Sequence, residues 1–229
     1  MATSKYSSTK ETSNRSRVSR VLLGPCVDQL RDVLRHHVPP QTFPQVIQRH
    51  RHKLPKLTKP QMDLILPRSG HYTGNYSDFD ISLLYTLLRN ICNIPPPTKG
   101  WGKDPDPNDV SLSANIERIR ITRNKEYGNP LSSSLSNSDF NDIWSTVKSS
   151  VIQIDIFLNN NRTYEKEVEF LKNETMDPEM AKQYDGKLRD QVKEDTETRK
   201  MITETTQMFK GENIITCLFL LVTSLDTDS

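Results

Sequence analysis

The hydrophobic residues of this chain recur at spacings of three and four along most of its length, which is the pattern of amphipathic α-helices. The most apolar stretch runs from Phe79 to Cys92, where Ile81, Leu84, Leu88 and Ile91 fall on one face. We expect this segment to be the central core helix. The pattern as a whole predicts an all-α fold.

Turn and capping residues divide the rest of the pattern into further helices. One helix is predicted over Pro25–His37, because Pro25 suits a first turn and Pro39 and Pro40 cannot continue a helix. Further helices are predicted at Pro44–Arg51, Lys59–Leu66, Asp109–Tyr127, Asn137–Leu158 and Tyr164–Asn173. The stretch at 70–78, which contains Gly, Asn, Ser and Asp, and the Pro- and Gly-rich stretch at 93–109 are predicted to be loops.

The two ends of the chain differ in composition from its middle. Residues 1–17 are rich in Ser, Thr and Lys, which predicts a disordered tail before a helical domain at 18–175. Residues 176–212 are highly charged and predict a protruding connector helix, with few apolar anchors. The apolar run inside 213–229 resembles a buried strand with nothing to pair with, as if a following domain were absent. That run is about half the length that spans a bilayer.

Charge is unevenly distributed, although 31 basic residues nearly balance 29 acidic ones. Residues 1–73 hold 13 Lys and Arg against 4 Asp and Glu, a surplus of +9, so the remainder carries −7. A basic region facing an acidic remainder is typical either of an anionic-ligand surface, nucleic acid included, or of opposite charges packed within one molecule.

The cysteines and histidines favour neither a disulfide framework nor a metal site. Cys26, Cys92 and Cys217 are widely spaced and form no CxxC pair, which fits a reduced cytoplasm. The histidine pairs at 36–37 and 50–52 lack an acid or Cys to complete a ligand set. We therefore expect no metal, no cofactor, no membrane segment and a cytoplasmic protein.

The string "IERIRITRNKEYGN", Ile116–Asn129, is the most informative part of the chain. Together with "FDISLLYTLLRNIC", "GWGKDPDPNDVSLSANIERIR" and "SNSDFNDIWSTV" in the same order, it closely resembles the HEPN superfamily. The branch is the one found at the N-terminus of the DAZ-interacting RING ubiquitin ligase and of multidomain invertebrate NTPase proteins. The resemblance covers roughly Pro25–Asn173.

The resemblance implies a four- to five-helix bundle, here with a long charged C-terminal helix, that often dimerises. Active members carry an Arg, usually followed by a polar residue such as Asn, and then a His four to six residues later. The His is thought to move protons at the ribose 2′-hydroxyl, and the Arg to stabilise charge on the phosphate. Two protomers pool these residues in one groove, without a metal.

This chain departs from the family pattern at the catalytic position. Arg123 and Asn124 match the first two motif residues, but Asn129 stands where the pattern has His. An amide cannot take up and release a proton near neutral pH. Losing a positioned general acid or base costs on the order of 10²–10⁴ in rate. Ribonuclease activity is therefore not expected, and we expect no catalytic residue among Arg123, Asn124 and Asn129.

A degenerate groove retains some binding chemistry, because an arginine side chain stays charged and can bind phosphate through two donors. The candidate RNA- or phosphate-binding residues are Arg123, Asn124, Lys125 and Tyr127. Purely structural roles are the alternative to this binding site for three residues of the helix. Arg123 also suits an ion pair inside the bundle, and Tyr127 suits the core. Glu117, on another face of the helix, suits a surface or interhelical pair rather than a catalytic acid.

Three functional hypotheses follow. The first is a non-catalytic HEPN-type interaction module, a homodimer that binds RNA or nucleotide at the degenerate groove and acts as an adaptor or sensor in a defence or ubiquitin-type pathway. The second is an active, metal-independent endoribonuclease with an unrecognised general base. The third is a purely structural oligomerisation domain. If the groove is otherwise intact, Asn129→His should restore cleavage.

Overall fold

Every regular secondary-structure element is helical among the residues that the computed structural model describes, which are 10–67, 74, 76–127, 135–174, 179–197, 200 and 203. The α-helices are α1 (Lys10–Leu23), α2 (Pro25–His37), α3 (Phe43–His50), α4 (Lys59–Ile65), α5 (Ile81–Ile91), α6 (Leu112–Tyr127), α7 (Asn137–Leu158) and α8 (Thr163–Asn173). Short 3₁₀ turns occupy Pro40–Thr42 and Arg51–Lys53. The predicted all-α fold is confirmed.

The predicted core helix is confirmed as α5. Asp80 caps it by accepting a 2.9 Å hydrogen bond from the Leu83 amide, which satisfies one of the free N–H groups of the first turn. Its apolar face is buried, with Leu84 and Leu88 both at 0% exposure. Burial of a leucine side chain contributes about 1.5–3 kcal/mol. α5 packs against α2, α3 and α6.

α7 is the longest α-helix with defined bounds and contacts α1, α2, α6 and α8. Ser136 caps its first turn by accepting from the Asp139 amide at 3.1 Å. It ends at Asn159, whose φ of 50° lies in the left-handed region that terminates many helices. Trp144 is 2% exposed on its inner face, so the prediction of a core tryptophan is confirmed.

The predicted disordered tail is wrong over residues 10–17, which form the first half of α1. Val18 is buried, and so are Asn14 and Arg15, polar residues whose side chains are hydrogen-bonded within the bundle. Asn14 donates to the Leu135 carbonyl and to Asn137. Tertiary hydrogen bonds therefore order a segment whose composition alone indicates disorder. Residues 1–9 lie outside the described residues.

Residues 179–192 are helical, as predicted, but they do not protrude as a connector, because they lie in the same compact unit, Met1–Val192, as the bundle. Leu188 and Val192 are 0% and 4% exposed. Asp185 accepts from Arg15 of α1 at 3.0 Å. Buried Leu188 and Val192 and the ion pair with Arg15 are thus among the contacts that pack this helix, although its sequence predicts a solvated one.

Residues from Lys193 onward form a second unit, Lys193–Ser229. Within it, residues 193–197 are helical, and Lys193 pairs with Glu197 one turn later. The strand-like segment predicted at 213–229 lies outside the described residues. Among the helices described here, none is both long and apolar enough to cross a membrane.

Candidate functional site

Arg123, the cation of the motif, lies inside the bundle and not on its surface. Its side chain is 1% exposed, and its Nη2 atom is 3.8 Å from Oδ2 of Asp80. Asp80 is the N-cap of α5, so this ion pair joins the last turns of α6 to the first turn of α5. Arg123 thus has the structural role that was the alternative to phosphate binding, an ion pair inside the bundle.

The other predicted site residues are only partly brought together. Asn124 is half-buried, and its Oδ1 accepts from Nη1 of Arg123 at 3.5 Å. Lys125 is exposed and pairs with Asp104 of the preceding loop at 3.3 Å. Tyr127 is the last residue of α6, but its side chain lies outside the described residues, as does the whole of Asn129.

Arg118, one of the basic residues near the motif, secures the Pro- and Gly-rich loop at 93–109. Its guanidinium donates to the Asp106 carbonyl at 2.6 Å and to the Asn115 side chain at 3.0 Å. Carbonyl groups in a turn otherwise need water or other donors. Arg118 is therefore occupied with backbone that covers the start of α6.

Glu117 is the centre of a buried polar cluster in the same region. Its carboxylate is 0% exposed and accepts three hydrogen bonds: from the Tyr85 hydroxyl at 2.6 Å, from the Gly102 amide at 2.5 Å and from Arg120 Nε at 2.8 Å. A buried carboxylate is stable when it is both paired and hydrogen-bonded, and this one is. The ion pair of Glu117 lies within α6, and its contact to another helix is the hydrogen bond from Tyr85 of α5; the Gly102 amide ties the loop to the same carboxylate.

Two aromatic rings surround this carboxylate. The Arg120 guanidinium lies 4.9 Å from the centroid of the Tyr85 ring, within the range of a cation–π interaction. Trp101 packs edge-on against the same ring at 5.8 Å. The loop glycine next to it, Gly102, has a φ of 86°, a conformation that side chains with a Cβ rarely adopt. The cluster, formed by Tyr85, Trp101, Gly102, Glu117 and Arg120, therefore locks the loop onto α5 and α6.

Sequence reasoning did not identify this cluster as a unit. Residues 113–117 of α6 are all buried, whatever their polarity, so the helix has no solvent face at that point. A helix buried all round gives no periodic signal. The sequence features that belong to the cluster are "GWG" in the loop and the Glu-x-x-Arg spacing in α6. Nothing in the sequence shows that these two features lie together, so they could be connected only in the folded structure.

The pKa values of Tyr85 and Asp109 are shifted in the directions that their contacts favour. Burial raises the pKa of Tyr85, and its hydrogen bond to the Glu117 carboxylate raises it further. Hydrogen bonds from Ser111 and from the Thr98 amide hold the pKa of Asp109 well below its usual range. At neutral pH, Tyr85 is therefore held as a neutral phenol and Asp109 as a charged carboxylate.

The described residues form an all-helical bundle with an Arg–Asn pair near the end of α6, as expected for a HEPN-type helical domain. The chain belongs to this class as a member of the DZIP3/hRUL138-like HEPN family, whose family model matches residues 29–184.

Two curated relatives carry the similarity. The E3 ubiquitin-protein ligase DZIP3 of Homo sapiens is 34% identical over 76 residues, which is 33% of this chain and 6% of that protein. The protein of the same name from Mus musculus is 33% identical over 76 residues, again 6% of its length. The aligned part is thus a small fraction of either relative. No solved structure matches this chain.

Proposed function

We propose that this domain is a non-catalytic HEPN interaction module, an adaptor that binds other macromolecules without cleaving RNA. The observation that carries the proposal is the position of Arg123, which is 1% exposed and faces Asp80. A cation that stabilises a phosphate in a transition state must reach that phosphate. In this chain the cation instead joins two helices, and Asn129 replaces the proton-transferring histidine of the family pattern.

The remaining basic residues of α6 support the same proposal. Arg118 is bonded to the loop carbonyls, Arg120 to the buried carboxylate of Glu117, and Lys125 to Asp104. A phosphate at this helix would compete with each of these contacts. These contacts argue against the prediction that RNA or nucleotide binds at Arg123, Asn124, Lys125 and Tyr127. An experiment can test this binding separately from the role as an interaction module.

The test of catalysis uses the full chain and an end-labelled RNA in EDTA. We expect no 2′,3′-cyclic phosphate products from the natural sequence, and none from Asn129→His, because restoring the histidine leaves Arg123 inside the bundle. Lys125→Ala is the matched control for Arg123→Ala, since it removes an exposed neighbouring charge. Cleavage that is lost in Arg123→Ala but retained in Lys125→Ala would establish the endoribonuclease hypothesis instead.

The test of the role of Arg123 compares stability with RNA affinity. Asp80 is 26% exposed, so part of its charge is solvated if the arginine is removed, and we expect Arg123→Ala to lower the free energy of unfolding by about 2–3 kcal/mol. Its RNA affinity should be unchanged at a temperature where the variant remains folded. A role in phosphate binding predicts the opposite result, weaker RNA binding with a salt slope reduced by about 0.7.

The adaptor part of the proposal concerns partners. The relatives are named as E3 ubiquitin-protein ligases, and we propose that this domain likewise serves a ubiquitin-type or defence pathway as a homodimer. Light scattering of the purified chain tests the dimer directly, with an expected mass of twice 26.4 kDa. A monomer at micromolar concentration would contradict it and would also exclude a groove composed from two copies.

A further inference from the structure

A run of basic residues lies between the third and fourth helices, away from the motif on α6. No acidic residue occurs between Asp32 and Asp63, whereas residues 49–59 contain five Lys and Arg and two His. All five cations are exposed; they are Arg49, Arg51, Lys53, Lys56 and Lys59. We refer to these five side chains as the basic strip.

The basic strip differs from the other cations in how its charges are balanced. Within the described ranges, none of the five side chains forms an ion pair or a hydrogen bond. Elsewhere in the same unit, paired cations are common: Arg15, Arg20, Arg31, Arg35, Arg120, Arg123, Lys125, Lys148, Arg162, Lys182 and Arg189 each have an acidic partner. Among the described residues, no acidic side chain therefore neutralises the basic surplus of the sequence at this place.

The backbone that carries the strip is anchored at both ends. Phe43 and Ile47 of α3 are 0% exposed, and Ile65 of α4 is 1% exposed. Thr58 and Gln61 form a reciprocal capping box that fixes the start of α4. The cations are thus presented by a segment held on the bundle, which reduces the entropy lost when a ligand binds them.

The local electrostatics agree with this arrangement. The pKa of His50 is lowered mainly by burial and then by the positive charges of Lys53, Arg49 and His52. Cations close enough to oppose the protonation of a neighbouring histidine create a positive potential. An anion placed there is attracted by several of them at once.

We propose that the basic strip is a binding surface for the phosphate backbone of nucleic acid, with RNA as the probe. Repeated, exposed and uncompensated cations suit a ligand whose charges also repeat, and phosphate contacts supply most of such affinity. Phosphate contacts carry no sequence information, and residues 44–71 contain no Phe, Tyr or Trp to stack on a base, so we expect binding without sequence preference.

A membrane surface fits the strip less well. The apolar residues among the cations, Leu54 and Leu57, are partly buried against the core and so are not presented for insertion between lipids. The proposal is also independent of the degenerate site, because the strip runs from the end of α3 to the first residue of α4, whereas Arg123 belongs to α6.

The experiment measures fluorescence anisotropy of a labelled 20-nucleotide RNA of mixed sequence with the full chain. If five cations neutralise phosphates, the logarithm of affinity falls with the logarithm of salt at a slope of about −3.5, a loss of about 100-fold between 50 and 200 mM salt. The strip variant Arg51→Gln/Lys53→Gln/Lys56→Gln should reduce the magnitude of this slope by about 2. Its affinity should fall at least tenfold at 50 mM salt.

The matched control is Lys103→Gln/Lys166→Gln/Lys182→Gln, which removes three exposed lysines elsewhere. It should retain the natural affinity and slope. Equal losses in both variants, or no RNA binding by the natural chain, would overturn the proposal. Binding to phosphatidylserine vesicles that depends on the strip, with RNA binding unaffected by the strip variant, would assign the surface to lipid instead. RNA bound by the strip but not cleaved leaves the non-catalytic function intact, so the two proposals fail separately.

Discussion

The Tyr85 hydroxyl donates a 2.6 Å hydrogen bond to the Glu117 carboxylate, joining α5 to α6 inside the bundle. The same carboxylate oxygen accepts from the Gly102 amide, so one atom connects two helices and a loop. A loop of this length without secondary structure needs such anchors to remain packed. The contact therefore accounts for how the segment before the motif helix is held.

Removing the Tyr85 hydroxyl should destabilise the protein. Tyr85→Phe deletes a hydrogen bond to a charged group, and we expect the free energy of unfolding to fall by about 1.5–3 kcal/mol. Urea denaturation followed by circular dichroism measures it as a lower midpoint with an unchanged slope. Tyr184→Phe is the control, because the described contacts of Tyr184 are with its ring, not its hydroxyl. A change in Tyr85→Phe no larger than in Tyr184→Phe would contradict this prediction.

Stability should also fall in alkali, and Tyr85 should contribute to the loss. Its pKa in the folded state is raised above the usual value of 10.0, by burial first and by Glu117 second. The folded state therefore favours the neutral phenol, and this contribution is complete below pH 10 and is lost as the pH rises through the folded-state pKa. Between pH 10 and 11.5, Tyr85→Phe should lose less stability than the natural chain. Tyr164, whose pKa is raised in the same way, provides a comparison variant, Tyr164→Phe. Parallel pH profiles for the natural chain and Tyr85→Phe would refute this assignment.

Asp109 should stabilise the fold at neutral pH and lose this contribution in acid, whereas the contribution of Tyr85 is lost in alkali. Its carboxylate accepts from the Thr98 amide at 2.8 Å and from the Ser111 amide at 3.0 Å, which closes the loop before α6. Asp109→Asn should cost about 1–3 kcal/mol at pH 7, because hydrogen bonds to a charged acceptor are lost. The folded-state pKa lies below the usual 3.8, so the contribution is present above that value and is lost as the pH falls further.

Urea titrations at pH 7, 5 and 3 test this dependence. The difference between the natural chain and Asp109→Asn should be constant from pH 7 to 5 and smaller at pH 3. Asp104→Asn serves as the control, since it breaks an exposed pair with Lys125 and should change stability by less than about 1 kcal/mol. A difference that grows towards low pH would show that the hydrogen bonds do not favour the charged form.

The ion pair between Arg15 and Asp185 should hold residues 179–192 on the bundle. Arg15 is 4% exposed, so its replacement by Gln leaves Asp185 without its buried partner. We expect faster amide hydrogen exchange in residues 179–192 and little change in α5. Lys182→Gln, which breaks an exposed pair with Glu179 on the same helix, is the control. Identical exchange in the two variants would mean that the Arg15–Asp185 pair does not attach this helix and that its other contacts, such as buried Leu188 and Val192, do so.

Much of the fold was predictable because it depends on local signals. The helices α2, α3, α4, α5, α7 and α8 begin and end within about two residues of the positions that capping residues and prolines indicated. The errors occurred where isolated polar residues make tertiary contacts. Arg15 orders α1 by reaching Asp185, 170 residues away in the chain, and no local pattern contains that information.

The candidate site shows the same division. The motif residues and the replacement of histidine by Asn129 are evident in the sequence, and the family match confirms the HEPN assignment. Whether a motif arginine faces solvent is a separate question. The sequence left both a phosphate-binding role and an internal ion pair open for Arg123, and the structure pairs it with Asp80 of α5. Arg118 and Arg120 likewise have partners, in the preceding loop and one turn earlier on α6.

The sequence by itself determined the helical class, the helix boundaries set by caps and prolines, the family and the degenerate motif, because each of these depends on residue identity and short spacing. Only the tertiary structure decided that Arg123 faces Asp80, that Glu117 centres a buried cluster and that the strip at 49–59 keeps its charges exposed. The physical reason is that the environment of a charge depends on which distant segment packs beside it.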